Sequence, residues 1–206
     1  MVYHTESSTH KDLWATNSDL NNIRQSLLDL FCQLAYQEGD FVLSSGARST
    51  YYINGKQVTL HPQGALAIGR LLFSMLPSDT QAVAGLTLGA DPIVSAVSVV
   101  STLENRPIPA LIVRKEAKGH GTKAYVEGPI LPEAAKVIVL EDVVTTGQSA
   151  MKAVTRLRDA GYTVNQVISL IDRQQGGEEY YKSVNLQFHT VFSITDIQER
   201  YKNISN

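Results

Sequence analysis

The chain has 206 residues, of which 43% are apolar and 18% are charged, so we expect one globular domain with a sizeable core. Its net charge of −2 gives no general reason to expect binding to nucleic acid or to an acidic membrane. The single cysteine, Cys32, excludes an intramolecular disulfide framework and favours a reduced, cytoplasmic setting. With no apolar run of about 18 residues and no charged-then-apolar leader, the sequence predicts neither a membrane span nor a secretory signal.

The chain begins with a polar stretch and a helix. Residues 1–17 lack hydrophobic periodicity, and we expect them to form a loose, disordered tail. Apolar residues at helical spacing predict a helix from a cap at Ser18 or Asp19 to about Glu38. Residues 41–54 alternate loosely between apolar and polar side chains, which predicts a hairpin.

Within this hairpin, Tyr52 and Ile53 stand beside a polar turn that contains glycine. The pair is suited to clamping a flat heterocycle. From the residues alone, however, the simpler interpretation is that both side chains belong to the core.

The middle of the chain alternates between strands and helices. Strands are predicted at 82–86 and 109–113, and helices at 62–76 and 92–104. Asp91 caps the second of these helices and Pro92 occupies its first position. The turn at residues 87–90 is therefore a second candidate anion site, although every doubly wound fold has several such turns.

Residues 114–123 form a basic segment with four fixed positive charges and one histidine against a single acid. Gly119 and Gly121 disfavour a helix here. Because the segment leaves the carboxyl end of a strand, where α/β folds bind ligands, we expect a mobile lid over a polyphosphate at residues 114–124. The alternative is a solvated basic loop.

The chain is organised around a strand, a turn and a helix that follow one another at residues 137–160. Residues 137–140 predict a buried parallel strand, and Glu141 and Asp142 stand where it should end. A Thr-Thr-Gly-Gln-Ser turn then leads into a helix over 149–160. Free backbone amides and the helix dipole make such a turn an anion site. The turn lacks the pattern of a nucleoside-triphosphate P-loop.

The two carboxylates limit what this site can bind. Because they repel a lone phosphate, we expect Glu141 and Asp142 to face sugar hydroxyls or a hydrated magnesium ion. A ligand with a phosphate at one end and a diol with a metal at the other is a phosphorylated ribose. From the spacing alone, a capped turn whose acids are merely solvated is an equally open alternative.

The last part of the chain completes the alternation. A strand is predicted at 164–171, a short helix at 178–182, a last strand at 189–194 and a polar tail at 201–206. Arg173, just beyond the first of these strands, can offer a planar fork to a carboxylate or a carbonyl.

The whole pattern predicts an α/β fold with a doubly wound, mostly parallel sheet in a single domain over residues 18–206. The strand order cannot be read from the sequence. The hairpin lies outside the alternation, and we expect a small hood over the site from residues near 18–60.

Residues 139–147, Val-Leu-Glu-Asp-Val-Val-Thr-Thr-Gly, resemble the signature of type I phosphoribosyltransferases, which bind 5-phosphoribosyl-1-diphosphate (PRPP). Three further segments resemble the orotate phosphoribosyltransferase family in particular. They are the lid segment 113–121, the hairpin segment 43–52 and the strand end 170–173. The match to the superfamily signature is moderately specific, and the four segments in the right order are strongly specific.

The resemblance implies transfer of the phosphoribosyl group from PRPP to orotate in de novo pyrimidine biosynthesis, giving orotidine 5′-monophosphate and pyrophosphate. It implies a cytoplasmic homodimer in which each lid reaches the neighbouring active site. It also implies a magnesium ion held mainly by PRPP and water, with Glu141 and Asp142 nearby.

The implied roles cover the motifs residue by residue. The PRPP-binding residues would be Arg114, Lys115, Lys118, His120, Glu141, Asp142, Val143, Val144, Thr145, Thr146, Gly147, Gln148 and Ser149. Among them, Lys118, Arg114, His120 and Asp142 would be catalytic, while Thr145, Arg173, Tyr52 and Ile53 would bind orotate. Ser44 and Leu88 stand where family members often carry lysines aimed at PRPP, which puts direct side-chain contacts there in doubt.

Two rival functions differ from this expectation. The first is the same chemistry with another acceptor, such as a purine, and the lid together with Arg173 argues against it. The second is a PRPP-sensing regulator that binds nucleic acid without catalysis. That function should show an added basic surface, whereas the lid is the only basic cluster in the sequence.

Overall fold

The structure of the protein is a computed structural model that describes residues 13–42, 46, 48–118 and 125–205. The helices are α1 (Trp14–Asn17), α2 (Leu20–Leu34), α3 (Lys56–Thr59), α4 (Pro62–Ser74), α5 (Asp91–Leu103), α6 (Gln148–Asp159), α7 (Gly177–Ser183) and α8 (Ile194–Ser205). The strands are β1 (Tyr36–Val42), β2 (Arg48–Ile53), β3 (Ala82–Leu86), β4 (Ala110–Val113), β5 (Val126–Glu127), β6 (Val137–Val144), β7 (Gln166–Asp172) and β8 (Gln187–Ser193).

The central sheet has six strands in the order β5-β4-β3-β6-β7-β8. All neighbours pair in parallel except β5, which runs antiparallel to β4. The predicted mostly parallel, doubly wound sheet is therefore confirmed. From β3 the chain moves outward to β4 and then returns to β6 on the other side, so the winding reverses between β3 and β6. Ligands of open α/β sheets bind at such a switch point, beyond the carboxyl ends of the strands.

Helices cover both faces of the sheet because alternate residues of its strands point to opposite sides. On β6, Ile138 and Leu140 belong to the core that contains α2, α4, α5 and α8. Val137 and Val139 belong to the opposite core, which contains α6 and α7. The continuous apolar run at 137–140 thus reflects burial on both faces, as expected for a parallel strand.

β6 is longer than the apolar run that predicts it. Glu141 and Asp142 lie within the strand, because β7 continues to pair with it as far as Val144 and Asp172. The predicted strands and helices elsewhere in the sheet layers agree with the structure to within about two residues.

β1 and β2 form a separate antiparallel hairpin, as expected for the hood. The prediction that the preceding helix reaches Glu38 is wrong, because α2 ends at Leu34 and Glu38 pairs with Tyr51 in the hairpin. Tyr36 is only 3% exposed and stacks on Tyr51 with ring centroids 5.9 Å apart. Tyr36 is therefore buried as part of the hairpin, after α2 has ended.

The expected disordered tail at 1–17 is wrong for its last residues, while residues 1–12 lie outside the described part of the chain. Trp14–Asn17 forms α1, in which Ala15 is fully buried. The Arg70 guanidinium donates to the carbonyl oxygens of Ala15, at 2.8 Å, and Ser18, at 3.1 Å. This long-range anchor has no counterpart in the local sequence pattern.

The predicted polar tail at 201–206 is also wrong as far as residue 205, because α8 runs through it and Asn206 alone lies outside the described residues. Ile197 is fully buried, Tyr201 packs against the core, and Arg200 pairs with Asp29 of α2 at 3.0 Å. Cys32 is buried beside this helix, consistent with a structural role. Within the described residues, no helix combines the length and apolarity needed to cross a membrane.

Candidate active site

The centre of the site is the acidic pair at the carboxyl half of β6. Glu141 is only 6% exposed, and its Oε2 is buried without a hydrogen-bond partner among the described residues. Burial raises the pKa of this carboxyl well above its usual value, and the neighbouring charge of Asp142 raises it further, while Lys115 acts in the opposite direction. A buried polar atom without a partner is costly, so Glu141 is poised to accept a hydrogen bond from a ligand.

Asp142 faces the turn that follows β3, across the switch point. Its Oδ1 accepts a hydrogen bond from the Val143 amide at 3.0 Å. A Cβ added to Gly89 would lie 2.6 Å from Oδ1 of Asp142, so a larger residue there would force this carboxylate to shift. In the same turn, the Thr87 hydroxyl donates to Asp91 at 2.7 Å, and Leu88 is 65% exposed. The second candidate turn is thus brought next to the acidic pair.

Beyond the acids, the chain forms a small pocket at the start of α6. The pocket has a volume of about 90 Å³, and it is lined by Glu141, Val143, Val144, Thr145, Thr146, Gly147, Gln148, Ser149, Ala150 and Tyr181. Gly147 adopts φ +81°, and no side chain among the described residues caps α6, so the amides of its first turn are available to an anion. The predicted phosphate-binding turn and Glu141 therefore line one pocket, and Asp142 lies next to Glu141 on β6.

Tyr181 supports this pocket from α7 and was missed by the sequence analysis. It is fully buried, and its hydroxyl donates to the Gly147 carbonyl at 3.1 Å. Burial, together with the nearby charges of Glu141 and Asp172, raises the pKa of the phenol, so the hydroxyl stays a neutral donor. No local motif marks this tyrosine, because its role depends on where α7 packs.

The basic segment leaves β4 and divides its charges between two acids. The charge of Lys115 acts on Glu141. Arg114, by contrast, pairs with Glu127 of β5 at 3.2 Å, and Lys118 pairs with the same carboxylate at 3.7 Å. In a single chain, Arg114 and Lys118 are thus held by Glu127 instead of the acidic pair, and His120 lies outside the described residues, as does Ser44.

Arg173 begins just past β7 and connects the sheet to the hood. Its amide donates to the Val144 carbonyl at 2.9 Å, and its Nε donates to the Tyr51 hydroxyl at 3.0 Å. Tyr52 is 43% exposed, whereas Ile53 is partly buried and packs against the core. The structure therefore brings Arg173 to the hairpin through Tyr51, the inward neighbour of the predicted Tyr52. Strand alternation was the signal that could have identified it.

The protein by itself offers little to a metal ion. Over the described ranges, no group of three or more His, Cys, Asp or Glu residues is placed to hold one. The adjacent carboxylates of Glu141 and Asp142 suit a hard cation whose other ligands come from a bound molecule and water.

The switch point of the parallel sheet and the phosphate-sized pocket beside it are consistent with the class of type I phosphoribosyltransferases. The family model described as uracil phosphoribosyltransferase matches residues 92–198. The chain is also 74% identical to an orotate phosphoribosyltransferase from Nostoc sp. over 206 residues, covering 100% of both chains.

Solved structures of orotate phosphoribosyltransferases are also similar to this chain. The crystal structure of Mycobacterium tuberculosis orotate phosphoribosyltransferase with Fe(III) dicitrate has a TM-score of 0.76 at 36% identity, covering 85% of this chain and 98% of that chain. The same enzyme in complex with PRPP has a TM-score of 0.72 at 33% identity, covering 85% and 99%. This chain belongs to the orotate phosphoribosyltransferase family, which confirms the resemblance found in four segments of the sequence.

Proposed function

We propose that this protein transfers the 5-phosphoribosyl group from PRPP to orotate, forming orotidine 5′-monophosphate and pyrophosphate in pyrimidine biosynthesis. The observation that carries the proposal is the shared pocket, in which buried Glu141 lies beside the start of α6 while Asp142 is adjacent to Glu141 on β6. The relatives at high identity support the same proposal, since they are orotate phosphoribosyltransferases.

The pocket accounts for the ribose 5-phosphate half of PRPP. Backbone amides and hydroxyls from Thr145 to Ser149, with the peptides of Val143 and Val144 beside them, would hold the 5′-phosphate. The ribose hydroxyls would donate to Glu141 and Asp142. Such bonds would satisfy the unpartnered Oε2 of Glu141.

Orotate would lie between the hood and the end of β7. The Arg173 guanidinium, already oriented by Tyr51, would offer its free N–H groups to the orotate carboxylate. Thr145 stands on the neighbouring turn, and the exposed face of Tyr52, with Ile53, would pack against the ring. Orotate brings its own nucleophilic ring nitrogen, so the transfer requires no serine, cysteine or histidine nucleophile.

The diphosphate half would be held by Arg114, Lys115, Lys118 and His120. As the bond to the anomeric carbon breaks, positive charge develops on the ribose and negative charge on the leaving pyrophosphate. The basic side chains would stabilise the pyrophosphate, while Asp142 would favour the cationic sugar. Exclusion of water by the lid would protect the activated sugar from hydrolysis.

Magnesium fits this arrangement as an ion held mainly by PRPP and water. Glu141 and Asp142 would contact its hydration shell, and the described part of the protein holds no group of three or more His, Cys, Asp or Glu residues placed to bind it. When bound, the ion would neutralise part of the charge on the diphosphate.

We further propose that the protein works as a cytoplasmic homodimer. Glu127 holds Arg114 and Lys118 away from the acids of their own chain, which favours donation of these cations to a neighbouring site. The single buried cysteine agrees with a reducing compartment.

A spectrophotometric assay tests the reaction directly. The orotate absorbance band should disappear when the protein, PRPP and magnesium are mixed, with no comparable change for adenine. Uracil is the second acceptor to test, because the matching family model carries that description. Uracil lacks the carboxylate that Arg173 would bind. Faster consumption of uracil than of orotate would therefore show that uracil, and not orotate, is the acceptor.

A further inference from the structure

Arg156, on the third turn of α6, binds the base of the basic segment. Its Nη1 donates to the Arg114 carbonyl, and its Nη2 donates to the Lys115 carbonyl at 3.0 Å. Its guanidinium carbon also lies 4.2 Å from the centroid of the Tyr125 ring. One side chain thus contacts the segment where it leaves the sheet and where it returns.

A backbone hydrogen bond already joins the two ends of the basic segment that Arg156 contacts. The Arg114 amide donates to the Tyr125 carbonyl at 2.8 Å, which pairs the outgoing and returning stems. Arg156 adds a bond from this pair of stems to α6. The same helix begins at Gln148, in the phosphate pocket, so α6 connects the pocket to the origin of the basic side chains.

We propose that Arg156 is a positioning residue for phosphoribosyl transfer, which fixes the backbone from which the side chains of Arg114 and Lys115 extend. The inference rests on the proposed function. An arginine suits this role because its planar fork reaches two successive carbonyls while its face stacks on an aromatic ring. A lysine ammonium has neither the fork nor the stacking face.

Arg158 on the same helix provides a matched control. It also donates from its guanidinium to a backbone carbonyl, that of Val164, with Nε at 3.1 Å and Nη2 at 2.6 Å. This bond joins α6 to the segment before β7 and touches neither the pocket nor the basic segment. A loss common to both arginines therefore reports on the fold, and a loss confined to Arg156 reports on positioning.

The test compares Arg156→Met and Arg156→Lys with Arg158→Met and Arg158→Lys in the full chain, by steady-state kinetics, titration calorimetry with PRPP and thermal unfolding. Arg156→Met should lower kcat/KM for PRPP about tenfold or more, because hydrogen bonds donated by a charged group are stronger than those between neutral groups. The KM for orotate should stay within about twofold, since Arg156 does not touch the Arg173 side of the site. Arg156→Lys should recover only part of the loss.

Equal kcat/KM for PRPP in the Arg156 and Arg158 variants, at equal melting temperatures, would overturn the inference. If Arg156→Met does not fold, the two lysine variants carry the same comparison, because both keep the charge. A wild-type protein that leaves orotate unchanged would instead refute the proposed function. The two failures are therefore distinguishable.

Discussion

The phosphate pocket and the basic segment serve one proposed reaction but are built in opposite ways. The pocket comes mostly from consecutive residues, 143–150, on a buried strand, a tight turn and a helix. The basic segment at 114–118 is mostly exposed, and its charges are directed by partners elsewhere in the chain, Glu127 and Arg156. In the proposed reaction, a site built from contiguous residues would hold the part of the ligand that is kept, and a segment whose cations pair elsewhere in the chain would face the part that leaves.

The largest expected effect falls on the basic segment. Lys118→Ala should lower turnover by about 10²- to 10³-fold, because contacts made mainly in the transition state contribute roughly 3–4 kcal/mol each. Orotate binding should change far less. Steady-state rates and orotate titration measure the two quantities, with Lys182→Ala on α7 as a control for the loss of one exposed lysine. An unchanged rate would remove the segment from the mechanism.

The next effect tests the rigidity of the pocket. Gly147→Ala places a Cβ 2.9 Å from the Tyr181 ring at φ +81°, so the turn must shift, and kcat/KM for PRPP should fall about 100-fold. Gly161→Ala is the matched control, since Gly161 has φ +90° and nothing within 4 Å of the added atom. If both variants lose activity equally, backbone strain and not the pocket shape is responsible.

A third prediction uses the buried acid. The pKa of Glu141 is raised in the folded state, so its ionised form destabilises the fold progressively as the pH rises from the ordinary carboxyl range through the raised pKa. Glu141→Gln should abolish most activity yet raise the Tm at pH 8, by about 2–4 °C per kcal/mol relieved. This gain should shrink as the pH falls toward about 4.3, the usual pKa of glutamate.

Thermal unfolding across this pH range measures the gain, and Glu179→Gln on the exposed face of α7 should leave the Tm unchanged at every pH. A Tm difference for Glu141→Gln that is independent of pH would contradict the assignment of the destabilisation to its ionised carboxylate.

The smallest effect concerns the partner of the basic segment. Glu127→Gln releases Arg114 and Lys118 for the diphosphate, and the KM for PRPP should fall about two- to threefold, because such partly exposed ion pairs contribute only about 0.2–1 kcal/mol. The exposed Glu133, changed to glutamine, controls for the loss of one negative charge. A higher KM for PRPP would mean that Glu127 holds the cations in their productive positions.

Much of the site could be predicted because its parts are contiguous in sequence. Residues 137–149 carry the strand, the acids and the turn, and local rules for burial, glycine and helix starts are enough to interpret them. The family follows from the same stretch with three other motifs. The end of α2 was predicted less well. The helix ends at Leu34, and the residues that follow pair with β2 in the hairpin, which helical periodicity does not record.

The sequence by itself determined the fold class and the family, and it predicted the turn and the acids proposed to bind the ribose phosphate. Only the tertiary structure decided which residues hold these parts in place, since Tyr51 meets Arg173 across 122 positions of the chain and Arg156 meets Lys115 across 41. The physical reason is that local patterns record burial and turn geometry. A contact between distant residues depends on how the layers of the fold pack, and the local sequence around either residue does not specify that packing.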